Sequence, residues 1–226
     1  MAAHRQNPAD LLREYTVAEL EHIADKYHSG IGGKFEIPVD IDLLLENTSS
    51  VDLDIWPGLA ANHNLLGMSG INPDTNVIYI YIDDKLADTS ASMRRYRMTV
   101  AEEFAHILIH RPAIEAVKTA EDFKLIQNHP KWYIYERNAK RLAAALLMPA
   151  PYLLKDAPEL YSEIITRLPE PYKFSNPEAI KNKITGLLAD KYLVSVESMR
   201  YRLKEWPIDV LDKIDQAIKN QFDFLE

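Results

Sequence analysis

The sequence predicts an α+β protein, with a small, mainly antiparallel sheet of three short strands packed on a helical core and an all-helical module at the C-terminal end. Three observations predict it. Residues 77–82 read Val-Ile-Tyr-Ile-Tyr-Ile, an alternation with the period of a half-buried strand. Residues 99–110 read Thr-Val-Ala-Glu-Glu-Phe-Ala-His-Ile-Leu-Ile-His, an apolar helical run into which Glu102, Glu103 and His106 are set. From Ser90 onward the apolar spacing is helical almost throughout.

Composition bounds the reading. Of 226 residues, 47% are hydrophobic and 27% charged, enough to bury a core. The absence of cysteine removes disulfides and thiolate metal sites and fits a reducing compartment. No stretch reads as a signal peptide or a membrane span, so a cytoplasmic location and no membrane contact are expected. A net charge of −8 argues against nucleic acid as the partner of the whole chain. Three parts are expected: an N-terminal tail and helix over 1–34, a main domain over 35–168, and a helical module over 169–226.

Residues 1–15 read as a loose tail. Thr16-Val17-Ala18-Glu19 is a capping box for a helix through about Tyr27, with His22 and His28 on its surface. Gly30-Ile31-Gly32-Gly33 has no strand before it and reads as a linker rather than a phosphate loop. Pro38 opens a short helix to Glu46. Val51–Trp56, Leu65–Ile71 and Val77–Ile82 supply the strands, with turns at Pro57-Gly58 and Asn72-Pro73-Asp74 and His63 in the first loop.

Arg94, Arg95 and Arg97 lead into the Glu102 helix, which Pro112 ends. Further helices follow over Ala113–Gln127, Lys131–Met148 and 152–168, with Pro149-Ala150-Pro151 as a stop and Pro169-Glu170-Pro171 as a linker. In the tail, Ile180, Ile184, Leu187, Leu188 and Tyr192 share a face, and Leu-Ala-x-x-Tyr-x-Val-Ser-x-x-x-Met-x-x-Arg-Leu over 188–203 has a helix-turn-helix layout. Residues 176–206 carry Lys181, Lys183, Lys191, Arg200, Arg202 and Lys204 against Glu178, Asp190, Glu197 and Glu205, a surplus too thin for gripping phosphates. Docking of a protein partner or a structural role is the better reading of this module.

At about 100° per residue, Glu102 and His106 lie one turn apart with Glu103 beside them. The metalloprotease pattern H-E-x-x-H has this spacing, with two histidines binding zinc and the glutamate as base. Here Glu102 stands in place of the first histidine. Glu136, on the face of its helix with Ala139 and Ala143, is the candidate further ligand. Three crowded carboxylates would call for a cation, whereas the plainer reading pairs Glu102 and Glu103 with Arg94, Arg95 or Arg97 on the surface; the residues alone leave both open. His110, one turn beyond His106, reads as a packing or hydrogen-bonding residue at the helix end. His129 is a candidate oxyanion stabiliser if its loop faces the site, and Tyr133 and Tyr135 read as packing residues.

The order Ile-Pro-Val-Asp-Ile (37–41), a short sheet, Arg-x-Thr-Val-Ala-Glu-Glu-Phe-Ala-His-Ile-Leu-Ile-His (97–110) and Glu-Arg-Asn-Ala-Lys-Arg-Leu-Ala-Ala-Ala-Leu-Leu-Met-Pro (136–149) resembles the ImmA/IrrE family of metallopeptidases over roughly residues 35–152, and the tail is similar too. The resemblance implies a zincin-like metallopeptidase core in which His106 and Glu136 ligate a metal and Glu103 activates a metal-bound water. Glu102 completes the expected ligand set in this Glu-Glu-x-x-His variant. It implies one divalent ion, zinc by family. The two-carboxylate, one-imidazole set neutralises the ion and shifts preference toward manganese or iron. It also implies a gene-regulatory endopeptidase, in a phage or mobile-element setting, whose protein substrate is a helix-turn-helix (XRE-type) repressor. The alternative is a catalytically inactive module that keeps the scaffold to bind a repressor or another protein.

Overall fold

In a computed structural model of the chain, the structure describes residues 7–31, 35–48, 51–72, 74–75, 77–87, 92–169 and 176–222. The linker glycines Gly32 and Gly33, Pro73, Ser90 and the Glu170-Pro171 linker lie outside the described residues. The chain divides into two compact units, residues 1–35 with 40–146, and 36–39 with 147–226.

The first unit is built around one sheet and one long helix. The sheet holds β1 (Val51–Trp56), β2 (Gly67–Ile71) and β3 (Ile78–Asp83) in the order β1-β3-β2. The α+β class and the three strands stand as expected. Of the two ladders, β2–β3 is antiparallel and β1–β3 is parallel, with Leu53 opposite Ile80. The chain can place β1 parallel because β2 and a short helix not anticipated from sequence, α3 (Leu59–His63), intervene before β3. His63 therefore lies at the end of α3, exposed. In β3 the period of two is explicit: Ile78, Ile80 and Ile82 are buried, while Tyr79 and Tyr81 stack on the other face with ring centroids 5.7 Å apart.

Helix α1 (Val17–Ile31) runs a turn beyond its expected end, and α2 spans Ile41–Glu46. The latter starts later than Pro38 because Asp40 is its N-cap, with Oδ1 accepting from the N–H groups of Asp42 (3.0 Å) and Leu43 (3.1 Å). After β3 comes the short α4 (Asp84–Ala87), then α5 (Met93–Ala116), which packs on β2 and β3. Val100, Ala101, Phe104 and Ala105 on α5 are fully buried. Pro112 does not end α5; it sits inside the last turns, where it removes only the N–H that would reach back to Leu108. A capping box between Thr119 and Asp122, not Pro112, starts α6 (Ala120–Gln127), and α7 (Trp132–Leu147) follows.

The expectation of a loose tail over 1–15 fails from Asn7 on. Asn7 caps a 3-10 turn at Pro8–Leu11 that packs against α5 and α6, and the Tyr15 hydroxyl donates to the Ile109 carbonyl of α5 at 3.1 Å. His28 is also more than a surface residue: its Nε2 bonds the Leu146 carbonyl at 2.8 Å, near the end of α7.

The second unit packs α8 (Ala150–Arg167), α9 (Pro177–Tyr192), α10 (Val196–Lys204) and α11 (Val210–Phe222). Helix α7 ends at Leu147, ahead of the Pro149-Ala150-Pro151 stop, and Pro149 is also the N-cap of α8, which begins at Ala150 rather than 152. The core gathers Ile180, Ile184, Leu188, Tyr192, Met199, Leu203, Leu211 and Ile218, while Leu187 is only half-buried. The helix-turn-helix layout is present in α9 and α10, with Leu193 in the left-handed region (φ 52°) at the turn and Ser195 Oγ accepting from the Ser198 N–H at 3.0 Å. Among the described residues no helix is long and apolar enough to cross a membrane.

Candidate metal centre

The site residues come from three elements of the first unit: Glu102, Glu103, His106 and His110 from α5, Glu136 from α7, and Ser69 from β2. On α5 the helical period brings Glu102, Glu103 and His106 to one side of the apolar stretch 99–110, as expected. His106 Nε2 lies 3.3 Å from Glu136 Oε1, so the two helices do converge at the positions the sequence singled out. The Arg97 alternative does not hold: Arg97 is buried and its electrostatic partners are Asp40 and Asp42.

Each charge in the cluster is shaped by the others. Burial pushes the Glu103 carboxyl up and the Glu136 charge adds to this; the His106 charge and hydrogen bonds from the Ser69 side chain and backbone oppose it. Glu102 is also pushed up by burial, with Glu103 and Glu136 adding and the Lys140 ammonium opposing. Burial alone would raise Glu136, but its hydrogen bond to His106 and the imidazole's charge hold it below the ordinary range. Burial disfavours imidazolium at His106, yet Glu136, Glu103 and Glu102 together raise it.

A proton on His106 thus stands among three carboxylates where a divalent cation would meet the same charge. As a donor set the residues fit such an ion: one imidazole and one carboxylate face each other, and two further carboxyls share their field. Among the described residues, however, no group of three His, Asp or Glu side chains is arranged to hold a metal as it stands.

Sequence reasoning missed two contributors, Ser69 and Gly67. Ser69 anchors Glu103 from the strand, a contact between residues far apart in the chain that no local pattern announces. The strand reaches that close because residue 67 is glycine: a Cβ there would lie 2.6 Å from Thr99 Cγ2 and 2.9 Å from Glu103 Cγ. His110 is buried and hydrogen-bonded, as read from its i, i+4 spacing, its Nδ1 lying 3.1 Å from His106 Nδ1, though α5 continues past it to Ala116. Burial, then the charge of His106, pushes His110 down to about 3.

Tyr135 packs against both His110 (5.7 Å) and His129 (5.6 Å), as expected of a packing residue, whereas Tyr133 is 65% exposed and packs little. His129 Nδ1 accepts from the Lys131 N–H at 3.2 Å, which ties that ring nitrogen to its own loop.

A comparison with curated proteins finds no match. A family model does match: peptidase M78, described as IrrE N-terminal-like domain, aligns with residues 80–204, more than half of the chain. The aligned region begins in β3, contains all of α5 and α7, and ends with α10, so it takes in Glu102, Glu103, His106 and Glu136. The chain belongs to the peptidase M78 family of IrrE N-terminal-like domains.

Proposed function

We propose that this metallopeptidase-family protein is a metal-dependent endopeptidase acting in gene regulation, with a helix-turn-helix (XRE-type) repressor as substrate. The observation that carries the reading is the half-buried Glu103, anchored by Ser69 and set beside the facing pair His106–Glu136. His106, Glu136 and Glu102 would hold one divalent ion, zinc by family and manganese or iron by the oxygen-rich donor set. When bound, the ion supplies Lewis-acid polarisation of the scissile carbonyl and acidifies water.

Glu103 takes a proton from the attacking water at its carboxylate and passes it to the leaving amine. Burial raises its carboxyl, the direction that makes it the better proton acceptor. Ser69 keeps the carboxylate from swinging away during the exchange.

In the second unit, four of the six basic residues of 176–206 have partners at home. Lys181 pairs with Glu178 and Asp215, Lys191 pairs with Asp156, Arg200 donates to the Asn182 side-chain carbonyl, and Arg202 Nε donates to the Met148 carbonyl. With Val196, Tyr201 and Trp206 exposed, this supports protein docking over nucleic-acid binding for that module.

The second reading, a catalytically inactive module that binds a repressor, is favoured by Glu102 in the histidine position and by the lack of a ready three-donor group among the described residues. Metal content of chelator-free protein, measured by mass spectrometry alongside His106→Ala and Glu136→Ala, separates the two. The peptidase reading expects near-stoichiometric metal, lost in both variants, and cleavage of the repressor lowered by roughly 10²–10⁴-fold in Glu103→Gln with metal retained. Protein that takes up no metal, or a Glu103→Gln variant that cleaves normally, would refute it.

A further inference from the structure

We propose that His110 is a positioning residue for metal capture. Its Nδ1 accepts the Nδ1–H of His106 and so fixes the tautomer in which His106 Nε2 is available to a cation. This rests on the metallopeptidase reading of the site.

The two Nδ1 atoms are 3.1 Å apart, and only one can carry the shared proton. If His110 donated, a neutral His106 would carry its own proton on Nε2, the nitrogen that faces Glu136 at 3.3 Å, and that nitrogen would have no lone pair for a metal. If His106 donates, its Nε2 is free to ligate when a cation is present and free to hold a proton toward Glu136 when none is. One orientation of the proton serves both states. Metal-ligating histidines typically have their second ring nitrogen held in this way, by a carboxylate or carbonyl more often than by another imidazole.

His110 is built for an accepting role that it cannot exchange with solvent. It is 3% exposed, and Tyr135 meets it edge-on at 5.7 Å. With Nδ1 accepting, its own proton sits on Nε2, a buried nitrogen without a hydrogen-bond partner among the described residues. Packing alone does not explain a histidine here, since an apolar ring of similar size would fill the same space without burying an unpaired polar atom.

The experiment uses the full chain with 15N-labelled histidine and long-range imidazole correlation spectra, recorded metal-free and with added Zn2+. His106 should be protonated at Nδ1 in both conditions, and His110 at Nε2 with Nδ1 bare. His110→Phe should weaken Zn2+ binding by about 10–100-fold. His110→Gln, whose side-chain carbonyl can accept the same proton, should restore most of the loss, a rescue that a purely structural role would not produce. A His110 protonated at Nδ1, or a folded His110→Phe variant that binds Zn2+ as tightly as wild type, overturns the proposal. If the wild-type chain binds none of Zn2+, Mn2+ and Fe2+, the metallopeptidase reading fails on its own, and the metal-free spectra still decide who donates. If His110→Phe does not fold, the tautomer pattern and the Gln variant decide.

Discussion

Replacing Gly67 with alanine adds one methyl group at the place where β2 lies against α5. That Cβ would stand 2.6 Å from Thr99 Cγ2, 2.9 Å from Glu103 Cγ and 3.1 Å from Glu103 Oε1. Contacts this short do not survive, and neither Thr99 Cγ2 nor Glu103 Cγ is the far end of a flexible side chain, so strand or helix must move apart. Overpacking of this kind costs about 1–3 kcal/mol, and at about 2–4 °C per kcal/mol for a chain of this size the melting midpoint should fall by roughly 2–12 °C. The same strand supplies a control: at Gly70 an added Cβ meets nothing within 4 Å, so Gly70→Ala should melt with the wild type or slightly above it. Thermal unfolding followed by circular dichroism reads both. Any displacement also moves Glu103 away from Ser69, so cleavage should fall more than stability does. Equal melting of the two alanine variants would refute the claim that glycine is there for close approach.

Two further outcomes can be checked alongside the Glu103→Gln and His110 experiments above. Tyr192→Phe should destabilise the second unit by about 1–3 kcal/mol in thermal or denaturant unfolding, because the buried Tyr192 hydroxyl donates to the Asp156 carboxylate at 2.8 Å; an unchanged transition would show that Lys191 alone satisfies Asp156. Tyr96 is pushed up to about 12, first by burial and then by the Asp42 carboxylate that its hydroxyl meets at 3.3 Å. Its folded value lies above the ordinary tyrosine value of about 10, so its contribution to stability is complete below that pH and lost as pH climbs toward 12. Tyr96→Phe should flatten that part of the alkaline stability curve, and an unaltered slope would count against it.

The readable parts of this protein are those written in local periodicity. The isoleucines of β3 and the apolar run of α5 could each be argued from spacing alone, whereas spacing makes Glu136 only a candidate partner for His106, and the pairing rests on the two side chains facing each other. What escaped was decided by competition or by distance along the chain. Asp40 outbids Pro38 as the start of α2 because a carboxylate can satisfy two open N–H groups, whereas proline only omits one. Pro112 reads as a terminator, yet tertiary packing carries α5 past it. The parallel ladder depends on where β1 lands after folding, not on its own residues. Ser69 and Gly67 matter to Glu103 only once the strand is laid against the helix.

The segment before α1 looks expendable, short and mixed in polarity, the sort of stretch usually trimmed to improve a sample. Yet Tyr15 reaches the carbonyl of Ile109, one residue from His110 and just ahead of the proline that weakens the ladder there, while the turn at Pro8–Leu11 lies against the same helix. Removing those residues would take the outer brace off α5 at the height of its histidine pair. On the peptidase reading, a shortened protein that still folds but neither binds metal nor cleaves would have been disarmed by that trimming.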